Sequence, residues 1–311
     1  MDNKLLITPS PHITKQNSTN AMMLAILFAL VPSAMYGVIV FGTRALLIIG
    51  ISVVSAYLFE VLFNLLRFKK VEWLDFSSLV TGFMVALTLP VNVPIYYPII
   101  GTFLAIVIFK GCFGGLGRNL FNPAAASRVV LGFIFTGLTL AMFTGTALGE
   151  NVASPLSYFA NGEFSTITIR SLFFGNVSGA IGTVSIICIL IAGILLMCFK
   201  VTDYIIPVGS IITFIAMIWG FVGAKAIIPY IFSGSFLFVT MFMITDPITS
   251  PNTVWGKFCY GLMFGAIASV FRIFNILGET SVFVAVLAMN IFAPLLDKIF
   301  APRPLGVKRG A

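Results

Sequence analysis

The amino-acid sequence predicts an all-α polytopic membrane protein with about ten transmembrane helices. Three observations support this prediction: the composition, the lengths of the apolar runs, and the sorting of basic residues between alternate loops. Of the 311 residues, 59% are hydrophobic and 9% are charged, and the mean hydropathy is +1.09. A soluble domain usually carries about 25% charged residues, so this chain lacks the polar surface that water requires. The same composition excludes a disordered chain, a disulfide scaffold and a collagen-like chain.

The apolar runs define ten candidate spans, because a bilayer core of about 30 Å needs roughly 20 apolar residues in a helix. They cover about residues 21–41, 45–66, 77–90, 95–111, 121–142, 178–199, 204–222, 226–244, 257–275 and 280–299. The third run is short and leads into Leu89–Pro94, where proline removes backbone donors and prevents a straight helix. We expect this irregular backbone to be buried in protein or to line a cavity, since lipid cannot satisfy its polar groups.

The basic residues indicate the orientation, because cytoplasmic loops of membrane proteins carry an excess of Lys and Arg. With the N-terminus inside, the outer side receives only Arg44, Arg170, Lys225 and Arg272. The other 14 fall in segments assigned to the cytoplasm: Lys4, Lys15, Arg67, Lys69, Lys70, Lys110, Arg118, Arg128, Lys200, Lys257, Lys298, Arg303, Lys308 and Arg309. Both termini are therefore predicted to be cytoplasmic. The polar first 20 residues show no cleavable signal peptide.

The spans divide the chain into two halves around one long loop. We expect a cytoplasmic segment at 1–20, a first five-helix half at 21–142, an outer loop at 143–177, a second five-helix half at 178–299 and a basic cytoplasmic tail at 300–311. Five is an odd number, so two homologous halves would have opposite orientations, as in many transporters. The loop is long and rich in small and hydroxyl residues, which makes it a candidate site.

The cysteine and histidine content limits which metal centres the chain could hold by itself. The four cysteines are scattered, and His12 is the sole histidine, so bis-histidine haem and histidine-rich zinc sites are excluded and no metal site is predicted. An iron–sulfur cluster would need thiolates from a neighbouring protein of the same complex. Any redox role must therefore use an organic cofactor. The spans carry no carboxylate in their middle, which argues against a self-sufficient ion pump.

Two segments contain candidate site residues. In Phe113–Arg128, three glycines lie beside Lys110, Arg118 and Arg128. They could point N–H groups and cations at an anion such as a phosphate, or they could form a tight cytoplasmic turn. In Met243–Asn252, Asp246 lies at the end of the eighth span, where it could cap a helix or hold a cation or a flavin ring edge.

Several segments together resemble one known family. In order, they are Ser10–Ile13, Phe113–Ala124, Gly175–Gly182, Thr245–Pro251 and Ala288–Asn290. The chain is similar over essentially its whole length to the family that contains the D subunit of the Rnf electron-transport complex and the B subunit of the sodium-pumping NADH:quinone oxidoreductase. This resemblance implies ten spans with cytoplasmic termini, in a bacterial or archaeal cell membrane. It also implies a flavoprotein that passes electrons between ferredoxin- or NADH-linked partner subunits, coupled to translocation of Na⁺ or H⁺.

The resemblance also implies where flavin would be held. Family members attach FMN by a phosphoester to threonine in a pattern like Ser-Gly-Ala-Thr-Pro-Leu on the outer side. The matching stretch here is Asn151–Leu156, which places Ser154 at the attachment position and Val152 at the glycine. Thr144, Thr146 and Asn151 would line this site. The candidates for a second, non-covalent flavin such as riboflavin, or for partner docking, are Lys110, Arg118, Asn119 and Asn122. Asp246 is a further cofactor-binding candidate. Thr183 replaces an acidic residue of the family pattern.

Two other functions fit the sequence. Inverted halves and the triplet Asn122-Pro123-Ala124 are compatible with a passive channel or transporter for small solutes, although aquaporins carry two such triplets. A flavin-less structural subunit of the same complex is the other alternative. In the leading hypothesis the chain is not catalytic alone, and its partners are the other complex subunits, the lipid bilayer and a flavin transferase, with no nucleic acid.

Overall fold

The protein is mainly helical in the part of the chain that this computed structural model describes, which comprises residues 19–69, 76–135, 154–160, 162–164 and 167–301. These residues contain no β-strand, and their one isolated β-bridge joins Pro90 and Ala180. The predicted all-α class is therefore confirmed. The segment 1–18, most of the tail at 300–311 and a large part of the predicted outer loop lie outside the described residues.

Helices α1 to α5 form the first half. They are α1 Thr19–Phe41, α2 Thr43–Phe68, α3 Phe76–Leu87, α4 Tyr96–Phe103 and α5 Pro123–Ile134, and α4 continues as a π-helix over Leu104–Gly111. Gly42, with a φ of 72°, separates α1 from α2, a backbone conformation that glycine adopts without steric cost. α5 starts with proline at its first position, where the missing N–H costs no hydrogen bond.

Eight further helices follow in the described part of the chain. α6 Pro155–Ala160 and α7 Ile169–Phe174 are short and lie in the predicted outer loop, whereas α8 Ile186–Cys198, α9 Ile205–Phe221, α10 Ile227–Phe232, α11 Phe236–Phe238, α12 Val254–Ile273 and α13 Ser281–Ile299 build the second half. α11 continues as a π-helix over Val239–Met243. Short 3-10 turns at Ala224–Ala226 and Gly278–Thr280 precede α10 and α13.

The described helices account for all ten apolar segments. Four of these helices are long and apolar enough to cross a membrane alone: α1, α2, α12 and α13. A fifth candidate span consists of two pieces, Ala224–Phe232 and Phe236–Met243, which are bent by 68° at their break. The other five segments contain shorter apolar helices of 10–17 residues. The chain is therefore a multi-pass membrane protein.

The irregular backbone after α3 is enclosed by protein, as predicted. Leu89 is fully buried, and its carbonyl accepts the Ile181 N–H at 3.0 Å. Arg44 donates from Nε to the Val91 carbonyl at 2.9 Å and from Nη2 to the Val93 carbonyl at 3.2 Å. These bonds satisfy the backbone oxygens that a helix would otherwise pair, which is the condition for such backbone within a membrane.

The two halves share an order of packing. In the first half α2 packs on α3 and α4, and α4 packs on α5. In the second half α9 packs on α10 and α12, and α12 packs on α13. α1 and α8 contact each other across the halves. This agreement is what an internal five-helix repeat would produce, and the inversion of one half stays a prediction.

Two basic residues counted as cytoplasmic are not loop residues. Arg128 lies within α5 and is 1% exposed, and its Nε donates to the Thr88 carbonyl at 3.2 Å. Lys110 lies in the π-helix and is also 1% exposed. Because buried cations in helices are fixed by protein partners rather than by the side of the membrane, neither residue supports the predicted orientation.

Candidate functional site

A cavity of about 50 Å³ lies among α1, α3, the start of α5 and the residues that follow α4 and α11. A volume of this size holds a few water molecules. Four of the nine predicted site residues, Lys110, Asn119, Asn122 and Asp246, line it. Further hydroxyl groups come from Ser77, Thr81, Thr202 and Thr245, and the remaining wall is mainly apolar.

Asn122 connects two elements at the cavity wall. Its Oδ1 accepts the backbone N–H groups of Ala124 at 3.1 Å and Ala125 at 3.2 Å, the usual action of an asparagine N-cap. Its Nδ2 donates to Asp246 Oδ2 at 3.2 Å and to the Met243 carbonyl at 3.4 Å. One side chain therefore fixes the first turn of α5 against the end of the π-helix that follows α11.

Asp246 is the titratable group of the cavity whose pKa is displaced. Burial raises the pKa of its carboxyl to about 6, and hydrogen bonds from Ile248 and Asn122 offset part of that rise because they favour the ionised form. The Ile248 N–H donates to Oδ1 at 3.2 Å. The carboxyl can therefore gain or lose a proton near neutral pH.

Lys110 is held by two other helices. Its Nζ lies 2.9 Å from Glu60 Oε2 on α2 and donates to Ser77 Oγ on α3 at 2.6 Å. The ammonium charge is therefore already neutralised within the protein. This contact makes Lys110 a link between α2, α3 and α4 at the cavity wall.

The glycines after α4 form a helix-ending turn. Gly114, Gly115 and Gly117 have φ values of 109°, 91° and 87°, a region that glycine adopts far more readily than other residues. The Gly115 N–H donates to the Lys110 carbonyl at 3.0 Å and the Gly114 N–H to the Gly111 carbonyl at 3.1 Å. These two N–H groups end the π-helix, which favours the tight-turn interpretation over a phosphate cradle.

The two polar residues after this turn differ in their surroundings. Arg118 is exposed and does not line the cavity. Asn119 lines it, and its Oδ1 is buried without a hydrogen-bond partner among the described residues. A buried acceptor of this kind needs a donor from water or a ligand.

Ser154 is separate from the cavity. It is partly buried immediately before α6, and its carbonyl accepts the Ser157 N–H at 2.9 Å and the Ser157 hydroxyl at 2.7 Å. The other three residues predicted around it, Thr144, Thr146 and Asn151, lie outside the described residues.

Helix α6 packs at the beginning of the bent α10–α11 span. Tyr230 on α10 donates from its hydroxyl to the Phe159 carbonyl at 3.2 Å, and the two rings contact each other edge to face. Asp246 follows the end of the same span. The structure therefore places the two predicted flavin regions at opposite ends of α10–α11 and does not bring them together.

A comparison with family profiles shows which family the chain belongs to. The profile of the NQR2, RnfD, RnfE family matches residues 6–306. The chain belongs to this family. The resemblance predicted from the sequence segments is confirmed.

Individual family members are similar over most of the chain. The D subunit of the proton-translocating ferredoxin:NAD(+) oxidoreductase complex of Clostridium ljungdahlii is 31% identical, covering 99% of this chain and 98% of the relative. The D subunit of the Na(+)-translocating ferredoxin:NAD(+) oxidoreductase complex of Acetobacterium woodii is 32% identical, covering 98% and 96%. The B subunit of the Na(+)-translocating NADH-quinone reductase of Klebsiella pneumoniae is 32% identical over 76% of this chain and 62% of the relative.

Two residues that the sequence did not identify as site residues support the cavity. Asn290 on α13 accepts the Asn122 N–H at 3.0 Å and donates to the Tyr260 hydroxyl at 3.0 Å. Asn290 and Tyr260 are almost fully buried. The available signal was the amide of Asn290 inside an otherwise apolar span, since polar groups in membrane spans usually have a partner.

Proposed function

We propose that the chain is a membrane flavoprotein subunit of an Rnf-type complex, which relays electrons between partner subunits while the complex translocates Na⁺ or H⁺. Family membership and near-complete coverage by D subunits of ferredoxin:NAD(+) oxidoreductase complexes support this role. Other subunits of such a complex are then its partners. The two relatives are named for different ions, so the coupling ion of this chain is left open.

The single observation that supports a flavin most directly is the buried acceptor Asn119 Oδ1, which has no partner among the described residues and faces a cavity that also contains Asn122 and Asp246. The imide edge of a flavin presents one N–H donor between two carbonyl acceptors, which complements an amide acceptor. A tricyclic ring is larger than this cavity, so binding would displace flexible apolar wall residues such as Met23 and Leu116. When bound, a flavin supplies electron transfer.

The residues of this site would then act on protons and position. Asn122 would orient the Asp246 carboxyl through its Nδ2, as it does in the structure. Because burial raises the Asp246 pKa to about 6, the carboxyl can take up a proton when negative charge enters the cavity near neutral pH. Lys110, paired with Glu60, would fix the wall rather than bind a phosphate.

Ser154 is the proposed site of covalent FMN on the outer side. Its position directly before α6 and its partial exposure leave the hydroxyl group accessible to an enzyme. The test is in-gel flavin fluorescence of the denatured chain, made together with its flavin transferase. We expect fluorescence to be lost in Ser154→Ala and kept in Ser157→Ala, a matched and more exposed serine. Fluorescence that survives Ser154→Ala would refute the attachment site.

The non-covalent flavin is tested by acid extraction. Asn119→Leu keeps a similar side-chain volume but removes the acceptor, so extractable flavin should fall at least fivefold. Asn176→Leu, at an exposed asparagine, should leave it unchanged. Equal extraction from both variants would exclude Asn119. Absence of flavin in both covalent and extractable form would favour the structural-subunit or channel alternative.

The proposed orientation has cytoplasmic termini and α6 outside. A single cysteine introduced at position 160 should react with an impermeant maleimide on intact cells. Reaction only after the membrane is opened would reverse the orientation without affecting the flavin assignments.

A further inference from the structure

Asn290 lies in the middle of α13 and is hydrogen-bonded to two other elements. Its Oδ1 accepts the backbone N–H of Asn122, the N-cap of α5, at 3.0 Å. Its Nδ2 donates to the Tyr260 hydroxyl on α12 at 3.0 Å. Asn290 is 1% exposed and Tyr260 is fully buried. A polar amide inside a membrane-spanning helix needs such partners, and here one of the partners belongs to the cavity wall.

The backbone N–H that Asn290 accepts is part of a residue whose other polar groups are also bonded. The side-chain oxygen and the carbonyl of Asn122 accept N–H groups of the first turn of α5. Its Nδ2 donates to Asp246 Oδ2 at 3.2 Å and to the Met243 carbonyl at 3.4 Å. Any movement that releases the N–H from Asn290 therefore also displaces the amide from the Asp246 carboxylate.

Tyr260 fixes the orientation of the Asn290 amide. An amide oxygen accepts hydrogen bonds and an amide NH₂ group donates them, so Asn290 meets the Asn122 N–H with its oxygen and turns its NH₂ group to the tyrosine hydroxyl. Phenylalanine in place of Tyr260 would leave that buried NH₂ group without its acceptor. Because an unpaired buried donor is unfavourable, the amide would rotate and weaken its bond to Asn122.

The Asn122 bond acts on the ionised form of Asp246. A hydrogen bond to a carboxylate favours the charged state, and the Asn122 side chain offsets part of the pKa rise that burial causes in Asp246. The Ile248 N–H, which donates to Oδ1 at 3.2 Å, comes from the same segment of backbone. The bond from Asn122 crosses from α5, so residues that hold α5 in place can alter it.

No other charged group needs to change for Asp246 to respond. Apart from the exposed Lys200 and Lys298, the charged groups on the elements around the cavity have partners in the structure: Lys110 with Glu60, Arg128 with the Thr88 carbonyl, Lys257 with Asp203, and Asp297 with the Asn252 N–H. Helix α12 adds the neutral groups Cys259 and Tyr260, and Tyr260 is within electrostatic range of Asp246.

We infer that Asn290 and Tyr260 are positioning residues, which hold Asn122 on the Asp246 carboxylate and so set how readily that carboxyl takes up a proton. Tyr260 orients the Asn290 amide, Asn290 fixes the Asn122 backbone, and Asn122 bonds to the carboxylate. The inference rests on the proposed role of Asp246 as a proton acceptor, and it does not require a bound flavin.

The test measures the titration of Asp246 in the full-length chain, prepared free of flavin in lipid vesicles. Infrared difference spectra from about pH 4 to about pH 9 follow the carboxyl band that is lost in Asp246→Asn. We expect a midpoint of about 6 in the wild type and about one pH unit higher in Asn290→Leu. Tyr260→Phe should raise it by about half a unit. The matched control is Tyr230→Phe, which removes another buried tyrosine hydroxyl and should titrate as wild type.

A double variant tests the route through Asn122. Asn122→Ala alone should raise the midpoint at least as far as Asn290→Leu does. Adding Asn290→Leu to Asn122→Ala should raise it no further, because two residues that act through one contact are not additive.

Four outcomes would overturn the inference: no band that depends on Asp246, a wild-type midpoint in Asn290→Leu, a double variant with a midpoint clearly above that of Asn122→Ala, or equal midpoints in Tyr260→Phe and Tyr230→Phe. A role of Asn290 in packing alone would lower the melting temperature and leave the midpoint unchanged. If Asn290→Leu fails to fold, the two tyrosine variants still decide. Loss of flavin binding together with the expected midpoints would refute the proposed flavin site and leave the positioning role intact.

Discussion

Asn122 gives the sharpest test of the cavity geometry. Asn122→Ala removes the N-cap of α5, worth about 1 kcal/mol, and the hydrogen bond to the Asp246 carboxylate, worth about 2 kcal/mol for a charged acceptor. The expected loss is therefore about 3 kcal/mol at pH 8. Asn122→Ser keeps an oxygen for the cap and loses only the second bond, so it should cost about 2 kcal/mol.

The assay is the free energy of unfolding in mixed micelles, measured by titration with a denaturing detergent. Asn176→Ala, at an exposed asparagine, is the control and should change stability by less than about 0.5 kcal/mol. If the alanine and serine variants are equally stable, the cap does not contribute. If Asn122→Ala is as stable as the control, neither bond of the side chain exists in the folded protein and the reasoning is refuted.

Three further predictions concern stability and its pH dependence. Because the folded protein holds the Asp246 pKa at about 6 against an ordinary 3.8, stability should fall by about 3 kcal/mol as pH rises from about 3 to about 8. This slope should vanish in Asp246→Asn, and an unchanged slope would contradict the assignment. Gly182→Ala should lower the free energy of unfolding by about 2 kcal/mol, because its Cβ would lie 2.6 Å from a leucine Cβ. Gly50→Ala, in open space, should not destabilise α2. Equal thermal stability of the two variants would disprove the close packing. Lys110→Met should lower the free energy of unfolding by about 3 kcal/mol, because it leaves Glu60 unpaired. The double variant Lys110→Met with Glu60→Gln should recover part of that stability. A double variant that is less stable than Lys110→Met in the detergent titration would rule out the pair.

The fold class and the number of apolar segments could be predicted because the bilayer imposes them. A lipid environment requires long apolar helices, and each of the ten predicted segments contains a helix. The irregular segment at Leu89–Pro94 was also predictable, since proline prevents a helix locally. The bend between α10 and α11 was not predicted, because Ser233–Ser235 contains no proline and lies within one apolar run at about 226–244.

The candidate site was predicted less completely. Asn122 and Asp246 stand out in sequence because each directly precedes a proline, and Asn119 because it follows a segment with three glycines. Lys110 was predicted to be a cytoplasmic cation that could bind a flavin or a partner, and only the structure shows its pairing with Glu60. These two residues lie 50 positions apart in the sequence, so no local pattern reports their contact.

The sequence by itself determined that this protein crosses a membrane many times, which family it resembles, and which polar residues are available for chemistry. The reason is that the solvent preference of each residue type acts locally. The tertiary structure decided which of those residues meet: Asn122 with Asp246, Lys110 with Glu60, and Asn290 with Tyr260. In a low-dielectric interior, the presence of a partner determines whether a polar group stabilises the fold or is left able to bind a ligand.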